Sequence, residues 1–154
     1  MPPTRTRVRP VWEDRFAKPT CDALRAALDP AHIDLFDLAR TRLAALPDAL
    51  EDLVWHGIPW RWTLVYRQRQ DATGSALAYL VPKPDRPLMA LPIPHEVLSS
   101  VRLKKSSRLI REGLTQAKVV AGVYWPQWEL TSKSLLDEIV TLIEHRLVGA
   151  AQSA

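Results

Sequence analysis

The chain reads as an α+β domain in which an antiparallel sheet of about four to five strands packs, as two layers, on N- and C-terminal helices. Three observations point there. Apolar residues recur at three- and four-residue intervals near both ends of the 154 residues, the mark of amphipathic helices. From residue 60 the period changes to alternation, the mark of half-buried strands. The strand-like segments also cluster, with a hairpin at their start, whereas a doubly wound parallel sheet alternates strands with helices.

Each element has its own justification. Thr20, after Pro19, is placed to cap a helix over 21–28 with Cys21, Leu24 and Leu28 inward. Asp29-Pro30 supplies a cap and a first-turn proline for a second helix, on which Phe36, Ala39, Leu43 and Leu46 form a stripe. Pro47 is expected to restart a third helix, with Leu50, Leu53 and Val54 at helical spacing, closed by Gly57 and barred by Pro59. Over 60–67, Trp60, Trp62, Leu64 and Tyr66 fall on one face and Arg61, Thr63, Val65 and Arg67 on the other. A loop, 68–74, leads to a second strand at 75–81 and a hairpin. A third strand at 88–91 is confined to an edge or ended by Pro92 and Pro94.

A helical turn at 95–100 precedes a basic helix at 103–112, stopped by Gly113. The β-branched run 118–125 is expected to be one strand, extended by 127–130 past a kink at Pro126. Thr131 or Ser132 caps a last helix with Leu136, Ile139, Val140, Ile143 and Leu147 inward, ending at Gly149. This divides the chain into a flexible basic arm (1–12), one domain (13–149) and a frayed tail (150–154).

Composition excludes several classes. At 47% hydrophobic and 25% charged residues the chain matches a globular domain and not a disordered one. No apolar run approaches the roughly 20 residues of a membrane span. One cysteine, Cys21, leaves no disulfide framework or zinc ribbon. The first ten residues have arginines but no apolar segment after them, and their three prolines oppose an amphipathic leader, so a cytoplasmic location is expected. The net charge of +4 is unevenly spread. Residues 13–52 carry nine acids against five bases, and 99–118 carry six bases against Glu112 alone.

Catalytic signatures are absent. Five scattered glycines build neither a dinucleotide fingerprint nor a phosphate loop, and HExxH, GxSxG and CxxC do not occur. His32, His56, His95 and His145 fall in four separate elements without ligand-like spacing. Cys21, among leucines, reads as a small buried hydrophobe and not as a nucleophile. Nothing calls for a cofactor, and the balance leans against an enzyme.

Two clusters remain as candidates for function. Six tryptophans stand at 12, 55, 60, 62, 125 and 128, five of them in WHGIPWRW and YWPQW. Most are expected in the core, with Trp125 and Trp128 nearest a cleft. The functional alternative is a stacking platform for a base or sugar with Arg61 and Arg67 supplying charge, although alternation sets those arginines opposite the tryptophans. On the basic helix, Lys104, Arg108 and Arg111 share a ridge, with Lys105 on its far side. Such a ridge either gains acidic partners within the fold or meets an anion. The acids Asp34, Asp37, Asp48, Glu51 and Asp52 offer oxygen ligands for a hard cation, or form a solvated face that complements helix starts.

The order of events, Trp55-His56-Gly57-Ile58-Pro59 before a hairpin, then a basic helix, the strand KVVAGVYW and a final helix with IVTLIEHRL, resembles the YdhG-like superfamily of small bacterial domains over residues 31–148. The resemblance implies a compact α+β domain with an antiparallel sheet and no agreed catalytic motif. Some members are described as frataxin-like iron chaperones, which would give the five acids a role, although this chain is basic overall. Three function classes follow: a binding module for an anionic partner such as nucleic acid, using Lys104, Lys105, Arg108 and Arg111 with nearby aromatics; a frataxin-like iron handler; and an enzyme with a cleft near Trp125 and Trp128. Oligomeric state is left open.

Overall fold

A computed structural model describes residues 10–71, 76–100 and 105–152; most of the expected arm, and Lys104 of the basic ridge, lie outside them. The fold is α+β with antiparallel sheets, as the patterning predicts. One sheet has five strands, in the order β1 (Ala49–Trp55), β2 (Trp62–Gln68), β3 (Ala78–Val81), β4 (Leu88–Ala90), β8 (Gln127–Glu129). A second has three, in the order β5 (Ile93–Pro94), β7 (Val123–Trp125), β6 (Lys118–Val120). The helices are α1 (Cys21–Ala26), α2 (Ile33–Ala44), α3 (His95–Ser100), α4 (Arg108–Thr115) and α5 (Lys133–Gln152).

Side-chain caps open several of the helical segments. Thr20 Oγ1 accepts from the Ala23 N–H at 3.1 Å as expected, whereas the Asp29 carboxylate, accepting from the Ala31 N–H at 3.2 Å, caps a 3₁₀ turn at Pro30–His32, and α2 follows from His32 without a side-chain cap. Ser107 caps α4, and Ser132, one of the two residues expected, accepts from the Leu135 N–H at 3.1 Å. On α2, Phe36, Ala39 and Leu43 are fully buried.

The register makes the layering explicit. Leu53, Leu64, Leu80, Met89 and Trp128 form one row across all five strands. They pack with Leu24, Phe36, Leu43, Ile110, Leu136 and Ile139 of the helices in one core. This is the inner face. The next row, Asp52, Val65, Tyr79, Ala90 and Gln127, lies on the outer face because successive strand residues alternate. A second, smaller cluster of Val65, Ala76, Tyr79 and Ala90 sits there, with Trp60, Trp125 and Val54 packed on it.

Four expectations are corrected. Residues 47–57 do not form a third helix. The chain turns at Asp48, whose φ is 56°, and runs on as β1, paired with β2 along its whole length. Leu50, Leu53 and Val54 imitate helical spacing, but Leu53 and Trp55 point inward at a strand's interval with Glu51, and Glu51 enters the core side only because partners await it there. Secondly, 118–125 is a hairpin and not one strand. Ala121 and Gly122, at φ 51° and 76°, give the two left-handed residues that a tight two-residue turn requires. Thirdly, β4 lies between β3 and β8 and not at an edge; Pro92 does end it, and the chain enters the second sheet at Ile93. Fourthly, neither Gly113 nor Gly149 ends a helix: α4 continues to Thr115 and α5 to Gln152. Gly113 is inside α4 because Trp128 lies across it; a Cβ there would be 2.1 Å from the indole Nε1.

The expected arm also stops short of residue 12. Trp12 is buried in a short 3₁₀ turn, Val11–Glu13, and its Nε1–H donates to the Trp60 carbonyl at 3.0 Å. Trp62 returns the contact, its Nε1–H donating to the Asp14 carbonyl at 2.7 Å. Between them Arg61 pairs with Glu13 and lies 5.0 Å from the Trp12 ring centroid. A chain truncated to start at Pro10 should therefore melt with the full chain. One starting at Arg15 should lose about 2 kcal/mol, the burial of one large side chain. Thermal denaturation followed by far-ultraviolet circular dichroism separates the two, and equal melting of both truncations would refute the clasp.

Candidate functional site

The outer face carries a row of aromatic rings. His56, at the end of β1, lies 6.0 Å from Trp60 and 5.3 Å from Tyr79 between ring centroids. Trp60 and Tyr79 are 5.3 Å apart, and Tyr79 and Trp125 5.7 Å. All four separations fall within the 4.5–7 Å of favourable ring pairs. Tyr79 is buried at the centre, Trp60 and Trp125 are half-buried, and His56 is exposed.

Local backbone puts these rings together. Gly57, at φ 73°, and Arg61, at φ 58°, bound a turn that joins β1 to β2. Its ends are tied by the His56 N–H donating to the Arg61 carbonyl at 2.9 Å. Arg61 in the left-handed region breaks the alternation before Trp62. Trp62 goes into the main core, while Trp60, expected on the same face, packs at the sheet's outer cluster as well. That removes the objection that alternation keeps tryptophans and arginines apart: Trp60 shares the outer face with Arg67. Trp125 arrives through the corner at Pro126, where the Leu91 N–H donates to the Pro126 carbonyl at 3.2 Å.

Charge at the row comes from arginine. Burial, and then the Arg67 guanidinium, depress the His56 pKa below its ordinary 6.5, so this ring is neutral at pH 7. Burial raises the Tyr79 phenol against the opposing influence of Arg67 and Arg146, so the hydroxyl stays protonated. Arg67 is half-buried and, among the described residues, has no ion-pair partner. Arg146 is engaged, donating to the Ala76 and Pro92 carbonyls at 2.8 and 3.0 Å.

The other expected site residues are dispersed. Trp128 is a core residue of the inner face, its Nε1–H donating to the Leu109 carbonyl at 3.0 Å, whereas Trp125, on the other side of Pro126, packs on the outer-face cluster. The basic helix α4 packs on β8 and α5 with Ile110 and Leu114 inward. It thus lies on the helical layer and is separated from the aromatic row by the sheet. Arg108 pairs with Glu112 one turn on at 2.8 Å, and Lys105 and Arg111 are exposed. Among the described residues no acid of 13–52 pairs with this helix; Asp37, Glu51 and Glu13 pair with Arg25, Arg40 and Arg61.

The five candidate metal ligands do not converge either. Asp37 holds Arg25 at 2.9 Å, and Asp34 is exposed on α2. Asp48 is a turn residue whose carboxylate accepts from the Gln70 N–H, and Asp52 accepts from the Leu53 N–H. Among the described residues no group of three or more carboxylate, histidine or cysteine side chains is placed to hold a metal ion.

Glu51 belongs to a polar network between α1, α2 and the sheet. Arg40 grips it with two hydrogen bonds, at 2.8 and 3.1 Å, and the Tyr66 hydroxyl donates to it. Burial alone would raise the Glu51 carboxyl, but these hydrogen bonds outweigh it and hold the pKa below the ordinary value. Cys21, with Sγ 3.9 Å from Glu51, has its thiol pushed up chiefly by burial, the reverse of an activated nucleophile. The network is a structural tie. No described helix is long and apolar enough to cross a membrane.

No family model, no curated protein and no solved structure matches the chain.

Proposed function

We propose that the chain is a binding module whose outer sheet face holds an anionic partner with exposed planar rings, single-stranded nucleic acid being the class that fits. The observation that carries this reading is Arg67, a half-buried cation without an ion-pair partner among the described residues, beside the row His56–Trp60–Tyr79–Trp125. Half-buried rings stack on bases whatever their sequence, and a cation beside them meets the backbone. The basic helix, on the other layer, is not needed for this contact.

The test is fluorescence anisotropy of a labelled 15-nucleotide single strand at 20 mM and then rising salt. Binding should weaken linearly in log–log form, since phosphate contacts release counterions. Trp60→Ala and Arg67→Gln should each weaken it about tenfold, within the 1–3 kcal/mol that one stacked base contributes. Replacing Arg108 and Arg111 together by Gln should change affinity less than twofold. No binding at 20 mM salt would overturn the reading. Loss of binding only in the α4 variant would move the interface to that helix.

A further inference from the structure

Beyond the row, the outer face continues into a cleft of about 250 Å³. Trp60 belongs to both. On its other side it forms one wall of the cleft with Trp12 and Pro59, while Val81 and Leu88 make an apolar floor. These two pair across β3 and β4, and Leu88 pairs in turn with Glu129 of β8. Lys83 and Arg86, from the turn between β3 and β4, stand with Gln127 and Glu129 around the rest of the lining.

We infer that this cleft is a subsite for a single nucleotide, holding one base against Trp60 with its phosphate at Lys83. The inference rests on the nucleic-acid reading for its biological meaning and on the cleft's own chemistry for its content. A volume below the roughly 300–1,000 Å³ of drug-sized pockets admits one planar ring system and its substituent, not two. The apolar floor and indole wall suit a flat ring, and the Gln127 amide has both donors and an acceptor for a base edge.

The charges select a phosphate monoester over a longer polyphosphate. Arg86 is held by Glu129 at 2.9 Å, which neutralises one of the two cations. Lys83 meets Asp85 only at 3.7 Å, with both side chains largely in solvent, and such a pair is weak enough to be exchanged for a phosphate. Glu129 and Asp85 would repel further negative charge. A cationic ligand is disfavoured by Lys83, and the Trp12 ring already has Arg61 5.0 Å from its centroid.

The probe is adenosine 5′-monophosphate, titrated into the full chain by isothermal calorimetry and, separately, as a competitor of the labelled 15-mer. Millimolar or tighter binding is expected. Leu88→Trp, which fills the cleft from its floor, should abolish it, and Lys83→Gln should weaken it several-fold, while adenosine should bind more weakly than the monophosphate. Should Leu88→Trp fail to fold, Lys83→Gln and the adenosine comparison decide alone. If the 15-mer binds but the monophosphate neither binds nor competes, the subsite is refuted and the nucleic-acid reading stands. If the monophosphate binds and the 15-mer does not, the subsite stands and that reading falls. If neither binds, both fall.

Discussion

Gly113→Ala should destabilise the protein by about 3 kcal/mol, at the upper end of what overpacking a filled core costs. The sign runs against helix propensity. Within a helix, Ala is favoured over Gly by about 1 kcal/mol, so at an open site the change would stabilise. Here the new methyl would stand 2.1 Å from Trp128 Nε1 and 2.5 Å from its Cε2. The indole cannot retreat freely: it is 5% exposed and its N–H is bonded to the Leu109 carbonyl of the same helix. Relief requires α4 to lift off β8 or the indole to forgo its partner. Chemical denaturation of the variant, with fitted midpoint and slope, measures the loss. A midpoint at or above that of the wild type would show that Trp128 does not lie across Gly113.

Glu51→Gln should cost about 3 kcal/mol at neutral pH, the low end of the range for breaking a buried ion pair, since both partners retain some solvent. The amide leaves Arg40 without a counter-charge and offers Tyr66 and Arg40 one acceptor oxygen in place of two. The pH dependence gives an independent check. The Glu51 pKa in the fold is below its ordinary value of 4.5, so its contribution is complete above that value and is lost as pH falls through the folded pKa. The gap between wild type and variant should therefore be widest above pH 5 and close toward pH 3. A gap that is constant over pH 3 to 7 would mean that the carboxylate charge plays no part.

The same two residues show why parts of the fold were legible in the sequence and others were not. Where a local period agrees with the burial it produces, as on α2 with Phe36, Ala39 and Leu43, or on β2 with Trp62, Leu64 and Tyr66, the element can be read directly. At β1 the period is disguised. An acid occupies an inward position because Arg40 and Tyr66, on the helix and the strand that flank β1 in the chain, fold over to receive it, and the remaining apolar residues fall by chance at helical spacing. Gly113 is misread for a related reason: a glycine marks a helix end unless a distant indole needs its space. In 118–125, the Ala-Gly turn lacks the Asn or Asp that advertises a tight hairpin, so two short strands pass for one.

The aromatic row was half legible. The density of tryptophan around residues 55–62 was a usable signal, and Trp125, Arg61 and Arg67 could be proposed from it. Tyr79 could not, because its place beside Val65 follows from register, and register is not written in either strand alone. Nor could the separation of Trp125 from Trp128, three residues apart yet on opposite layers, be had without the corner at Pro126. The basic helix was legible only in part: it starts at Arg108 and not at 103, leaving Lys105 before it, and the layer on which it lies was not legible.

The clasp between Trp12–Asp14 and Trp60–Trp62 closes a loop of 48 residues, the sequence span of each of its two indole bonds. Closing a loop of that length costs about 4 kcal/mol of chain entropy when a covalent cross-link defines it. Small secreted domains relieve the unfolded state of that freedom with a disulfide. This chain, with its lone cysteine, instead offsets the cost each time it folds, through burial of Trp12 and a cation held between two reciprocal indole bonds. The closure is consequently reversible and insensitive to reductant. Because α1, α2 and β1 all lie inside the loop, opening the clasp lengthens the tether on every one of them at once.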